Sequence, residues 1–470
     1  MLLPGVIAAG RRRFVSISRV GTPVASRADL EAMASNPDGI YYLTNDIDLA
    51  GSDWAPFAFH GVFDGDGHKI DNMTVTATSS GGGNAGLFSD INYAQIMRLR
   101  IANASCSNGT SANYNAILAG IGSYYTLQDI IIEAGGIVYT SGDRASSIVG
   151  YSANCSLFRV IDMGTTMSGG GTRTKGGIGF DGGNILDAYC YYNSSYWSGG
   201  TGPIPAASTA TLQSAATYPS TTYNPNIWAV TDGSFPTFQA LAWTLISSRS
   251  GLANVASEPQ GLYRLVADLD LSAGDWTDWD AITFGGVLDG NGHSIAGCMR
   301  GTMTDTDRGC LFWNQPDTYR HCVQFLDLAV DAAYTSTTSA HYQGGMMGAT
   351  TGCFIHNCRL TGTVRGGGDR AGGFSAYGNN SAISKCLALA AITGGGTRIG
   401  AVVGFADGTA AGSVYNVQQV SVTGNSSTDP YASTLAANDT QAADEATYTA
   451  RHWSTDLWVL NDGVPYFAAI

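Results

Sequence analysis

Short runs of alternating apolar and polar residues recur in the second half of the chain at a constant distance. The runs at 354–364, 382–392 and 414–422 each follow a glycine site, and the sites Gly344-Gly345, Gly372-Gly373 and Gly400 lie 28 residues apart. The first half repeats the device at Gly120, Gly150 and Gly179, spaced by 30 and 29. Alternation predicts strands with one buried face, and the glycines predict the turns that bound them. A period in this range predicts a stacked array, and too little helical pattern intervenes for a leucine-rich or ankyrin array. The expected architecture is a parallel β-helix in which each coil buries its inward face on the next. Cys358 and Cys386 fall at the same place in successive coils, which predicts an interior ladder.

The chain is also written twice. Residues 26–49 align without a gap on 248–271, with 12 of 24 positions identical, and 61–70 match 286–295. Each copy closes on a similar segment, Trp228…Asp232-Gly233…Pro236 and Trp458…Asp462-Gly463…Pro465. The division this predicts is an arm at 1–25, a β-helix at 26–247 and a second at 248–470. Open solenoid ends need caps. Ser26 with Asp29 three residues on predicts a short capping helix that buries Leu30 and Met33, and Ser248 before Leu252 and Val255 predicts its counterpart. The Trp–Asp–Gly–Pro segments are the expected closing caps.

Composition narrows the classes of function. Lys and Arg total 23 against 37 Asp and Glu, a formal charge of −14, opposite to the balance of a nucleic-acid or anionic-membrane binder. No apolar stretch approaches a membrane span. The opening places its apolar residues before Arg11, Arg12 and Arg13, the reverse of a secretory signal, so synthesis without export is expected. Nine cysteines, an odd number with no Cys-x-x-Cys, point to reduced thiols rather than a disulfide framework or a zinc site. No cofactor is expected.

The first copy runs YYLTNDIDLAGSDWAPF, FHGVFDGDGHKIDNMTV, NAGLFSDI; the second runs LYRLVADLDLSAGDW, FGGVLDGNGHSIAG, CLFWNQ. This succession resembles the GLUG repeats and their associated β-helix over nearly all of 26–470. The resemblance implies an all-β chain of two tandem right-handed parallel β-helices with short capping helices. Similar β-helices occur in secreted bacterial adhesins, in protease accessory regions, and in fibres and spikes of tailed phages and phage-derived particles. The opening MLLPGVIAAG is similar to the start of some phage virion proteins.

Chemistry is sparse. Asp64-Gly-Asp66-Gly-His68 and Asp289-Gly-Asn-Gly-His293 offer carboxylates beside a histidine, so Asp64, Asp66 and Asp289 are the catalytic candidates if the protein is an enzyme. Asp66 becomes Asn291 in the second copy, however, and Asp-Gly or Asn-Gly supplies the positive φ of a tight turn, so the structural reading is preferred. Asp46, Asp48 and Asp53, with Asp268, Asp270 and Asp275, are read as polar strand faces rather than as a cation site, and no metal is expected. Tyr191, Tyr192, Tyr196 and Trp197 are candidate glycan contacts. Leu2, Leu3, Pro4, Val6, Ile7, Arg11, Arg12 and Arg13 form a candidate attachment arm, an apolar extended segment beside three guanidinium groups. The leading expectation is a non-enzymatic fibre or spike on the surface of a virion or phage-like particle. It would join other particle proteins through its arm, as a homo-oligomer at that site, and bind a host-envelope glycan or receptor without membrane insertion or nucleic acid. The alternatives are a polysaccharide-degrading β-helix and a bacterial surface adhesin.

Overall fold

The computed structural model describes residues 19–76, 83–108, 114–140, 145–168, 174–183, 185–196, 202–271, 281–300, 310–313, 323–335, 342–366, 370–379, 381–394, 398–407, 410–416, 435–437, 445–450, 452–459 and 465–468. The expected attachment residues Leu2, Leu3, Pro4, Val6, Ile7, Arg11, Arg12 and Arg13, the candidate glycan contact Trp197, and Asp275 lie outside them.

Apart from two closing hairpins, the described strands form parallel sheets whose neighbours are one coil apart in sequence, the pattern of a β-solenoid. In the first half the strands Val62–Asp64, Gln95–Ala102, Thr126–Ile132 and Cys155–Asp162 pair in succession. In the second half Val287–Asp289, Gln324–Leu326, Phe354–His356 and Ala382–Ala388 do the same. The period-two pattern sets which residues enter the core. Tyr41, Phe63, Ile96, Leu127 and Leu157 form one inward column, and Tyr263, Leu288, Phe325, Ile355 and Ile383 form its counterpart. The glycine periods are true coil repeats, since Gly344, Gly372 and Gly400 are direct cross-strand partners. Cys358 and Cys386 stack as expected, the Cys358 amide donating to Cys386 Sγ at 3.4 Å. Cys106, Cys155, Cys190, Cys310, Cys353, Cys358 and Cys386 are buried and free.

Both starting caps form. Ser26 Oγ accepts from the Asp29 amide at 3.2 Å while Asp29 Oδ2 accepts from the Ala25 amide at 3.0 Å, a reciprocal capping box for the helix Arg27–Ala32. Ser248 caps Arg249–Ala253, and Leu30, Met33, Leu252 and Val255 are fully buried. Each solenoid nevertheless begins before the duplicated stretch. Thr22–Val24 pairs in parallel with residues 41–43, and Trp243–Ile246 pairs with 262–265 in the same way. Residues 22–24 are thus part of a coil and not of a free arm.

The two solenoids lie side by side in opposite directions. Ile40 in an early coil donates its amide to Asp456 Oδ2 near the chain end, at 2.8 Å. Arg98 meets Gln324 at 3.1 Å midway, and Asn224 at the end of the first solenoid reaches the Gln260 carbonyl, early in the second, at 2.9 Å. The residues that point out of the first sheet, Ile40, Val62, Met97 and Phe158, form one buried apolar cluster with Leu262, Val287, Leu326 and Phe354 from the second. A sheet apolar on both faces must be covered on both, and here each solenoid covers the other. The closing segments are two-stranded antiparallel hairpins, Trp228–Ala229 with Thr237–Phe238 and Trp458–Val459 with Tyr466–Phe467. Their tryptophans belong to this seam cluster, so they seal the junction as well as the ends.

Candidate functional site

The repeated turn is the same structure in both copies. Asp66 and Gly67 have φ of 49° and 84°, and Asn291 and Gly292 have 50° and 77°. Asp64 Oδ1 accepts from the Asp66 amide at 2.9 Å, and Asp289 Oδ1 from the Asn291 amide at 2.8 Å. A side chain at Gly65 or Gly290 would sit 2.5 Å from the carbonyl of the next coil, at Arg98 or Asp327, so both glycines are required by close approach. Turn chemistry accounts for the motif.

Asp64 is buried in the seam and bonds to both Arg19 and Arg98. Burial opposes its ionisation, but the two guanidinium groups outweigh that and hold its carboxyl well below the usual carboxylate range. Asp289 accepts from Arg264 Nε at 2.8 Å. Asp66 stands 3.3 Å from Arg19 Nη1. Corner residues of successive coils, Arg98, Asp129, Arg159, Asp327, Asn357 and Lys385, all adopt left-handed φ near 50°, a conformation that costs such side chains energy. Their charges meet in the seam: Arg159 Nε donates to Asp129 Oδ1 at 2.5 Å, and Trp228 Nε1 to the same oxygen at 2.7 Å. The cavity bounded by Arg19, Asp64, Asp289, Asn291, Asp327 and His356 holds about 20 Å3, space for one water and no sugar.

Asp327 has a pH signature. Its surroundings strip it of water and Asp289 repels its charge, which together raise its pKa to about 7. The native state therefore holds this proton more tightly than the unfolded chain. Its favourable contribution is complete below about pH 4 and is lost as pH rises to about 7. Asp327→Asn keeps an acceptor for Asn357 Nδ2 and suits the left-handed φ. The variant should match the wild type near pH 4 and melt higher at pH 8, in paired thermal scans; equal differences at both pH values would contradict this assignment.

The tyrosine candidates separate. Tyr192 is 2% exposed, its ring packed in the interior against Gly176, which corrects its reading as a glycan contact: it points inward on the strand Tyr191–Asn193. Tyr191 packs at the margin of the seam cluster, and Tyr196 is exposed. Two other groupings were not legible in the sequence. One is an open cavity of about 330 Å3 where Tyr466, Phe467 and Ala468 lean over Asp268, His293 and Arg359. Asp268 Oδ1 accepts from the Ser294 amide at 2.7 Å and lies 3.6 Å from His293 Nδ1. Among the described residues Arg359 Nε is buried without a hydrogen-bond partner. Among the described residues Asp268 is the one carboxylate lining this cavity.

The other joins Asp38, His60 and His452. Asp38 Oδ1 is 2.8 Å from His452 Nδ1 and 3.4 Å from His60 Nδ1, and the imidazole rings are 4.2 Å apart. Lys385 Nζ donates to the main-chain carbonyls of both His60, at 2.8 Å, and His452, at 2.6 Å. Burial lowers the Lys385 pKa to about 7, partly offset by Asp38. The rings continue through Tyr93, 5.5 Å from His452, to exposed Tyr124, stacked on Tyr93 at 5.2 Å.

Among the described residues no helix is long and apolar enough to cross a membrane. No family model matches the chain, and no curated protein matches it. Among solved structures it is similar to a crystal structure named as that of a "putative immunoglobulin A1 protease" from Bacteroides ovatus. The two are 15% identical over 96% of this chain and 94% of that one, with a TM-score of 0.24.

Proposed function

We propose that this β-solenoid protein is a non-enzymatic fibre or spike of a phage or phage-like particle that binds a host-envelope glycan or receptor. The cavity around Asp268, His293, Arg359 and Tyr466 carries the reading. It offers a carboxylate, an imidazole, an unpartnered guanidinium nitrogen and an exposed phenol, groups suited to hydrogen-bonding and stacking on a sugar. Glycoside hydrolysis needs two carboxylates flanking the bond. Among the described residues one lines this cavity, and Asp64 and Asp289 are engaged by arginines in the seam.

The arm would attach the protein to its particle, with several copies at a symmetric socket. Because Arg19 is built into the seam, a truncation that tests attachment must end at residue 18. Deleting residues 1–18 should abolish particle incorporation while the melting temperature holds; incorporation at wild-type occupancy would refute attachment through the arm. For binding, host-envelope polysaccharide titrated against the wild type and against Tyr466→Ala and Arg359→Ala should show at least tenfold weaker binding in each variant. Release of shortened oligosaccharides by the wild type would establish an enzyme instead.

A further inference from the structure

We propose that Asp38, His60 and His452 form a binding site for one divalent transition-metal ion of the zinc class, clasping the C-terminal segment to the first solenoid. The donor set is two imidazole nitrogens and a carboxylate oxygen, and these three atoms all lie within 4.8 Å of one another. Bonds of about 2.0–2.1 Å in a tetrahedron separate neighbouring donors by roughly 3.3 Å. The 3.4 Å between His60 Nδ1 and Asp38 Oδ1 already meets that spacing. The 2.8 Å hydrogen bond from His452 Nδ1 to Asp38 need open by only about half an ångström when the ion replaces the shared proton. Imidazole selects zinc-class ions over calcium or magnesium.

Three further observations point the same way. Among the described residues His60 Nδ1 is buried with no hydrogen-bond partner, although the carboxylate is beside it. Both histidine backbones are pinned by Lys385, and His452 is held at a left-handed φ of 54°, a strained geometry that sets its ring against His60. The opposite end of the seam closes without these donors. There, Gln260 occupies the place of Asp38, Gly285 that of His60, and the contact is made by Asn224 and Asn226 to the Gln260 carbonyl. Packing the solenoids does not by itself call for two histidines and an aspartate. With part of each side chain exposed, an ion can enter and retain water at its open position.

The test is titration of the full chain, first treated with chelator, with zinc sulfate by calorimetry and with Co2+ by visible absorption. One equivalent should bind, the Co2+ spectrum should be that of a low-coordinate nitrogen–oxygen site, and saturating zinc should raise the melting temperature. His60→Ala and His452→Ala should each weaken binding by at least tenfold and remove the Co2+ spectrum, while His68→Ala and His293→Ala change neither. Because either alanine variant also loses a contact, His60→Asn serves as a milder replacement that must lose the spectrum while melting cooperatively. Zinc binding unchanged in the His60 and His452 variants, or no stoichiometric binding by the wild type, would overturn the proposal.

Discussion

Asp64→Ala should destabilise the protein by about 3–5 kcal/mol, the range expected when one partner is taken from a buried ion pair. The loss arises from what remains. Arg98 is 1% exposed and donates to Asp64 through Nε at 3.0 Å and also through Nη2, and Arg19 bonds to the same carboxylate. Without Asp64 the buried Arg98 guanidinium loses its carboxylate partner and Arg19 keeps only the longer pair with Asp66. Adding Asp289→Ala strands Arg264 as well and should deepen the loss. Asp64→Leu combined with Arg98→Met should recover part of the stability, because the most deeply buried charge leaves with its partner and Arg19 keeps Asp66 at 3.3 Å. The effect has a pH limb of fixed sign. Since Asp64 titrates below its ordinary value of 3.8, its contribution is complete above about pH 4 and is lost as pH falls, so wild type and variant should converge in acid. Glycan binding by the single Asp64 variant at the cavity around Arg359 and Tyr466 should be unchanged, since Asp64 does not line it. Chemical denaturation of the single, double and compensated variants is the measurement; a loss under about 1 kcal/mol for Asp64→Ala would show that the seam charges are solvated.

The second large effect concerns separation of the halves. Residues 1–241 or 242–470 produced alone should aggregate or self-associate, because each half then exposes an outward column meant to be covered: Ile40, Val62, Met97 and Phe158, or Leu262, Val287, Leu326 and Phe354. Produced together, the halves should form a soluble one-to-one complex on size-exclusion chromatography. A half that runs as a monomer and melts cooperatively by itself would disprove this dependence.

The solenoid was readable in the sequence because its cause is local. Period-two alternation fixes the inward columns, glycine spacing fixes the coil length, and Ser26 with Asp29 fixes the cap. The Asp-Gly and Asn-Gly pairs announced their turns. The seam was hidden because it depends on what covers the outer face. Met97 and Val62 look like any strand residue until their outward direction is known, and apolar residues on both faces of 95–101 were the available signal. Arg98, Asp129 and Arg159 at left-handed corners carry no motif. His452 is brought to Asp38 and His60 only by the antiparallel arrangement, so no spacing could reveal the three together. Tyr192 was misplaced because its neighbours Tyr191 and Tyr196 made an aromatic cluster of residues that in fact alternate between inside and outside.

The opposed packing of two like solenoids is the geometry a closed homodimer would have, with a twofold axis crossing the seam between Arg98 and Gln324. In such a dimer every contact is made twice, residue i meeting j and j meeting i, so the two ends of the seam carry the same groups. Fusion into one polypeptide lifts that restriction. Equivalent corners now differ, with Arg98 answered by Asp327, Asp129 by Asn357 and Asp66 by Asn291. One end of the axis closes through asparagines and the other through histidines. In a single chain with two like halves, the seam is interior and its two ends are free to carry different chemistry.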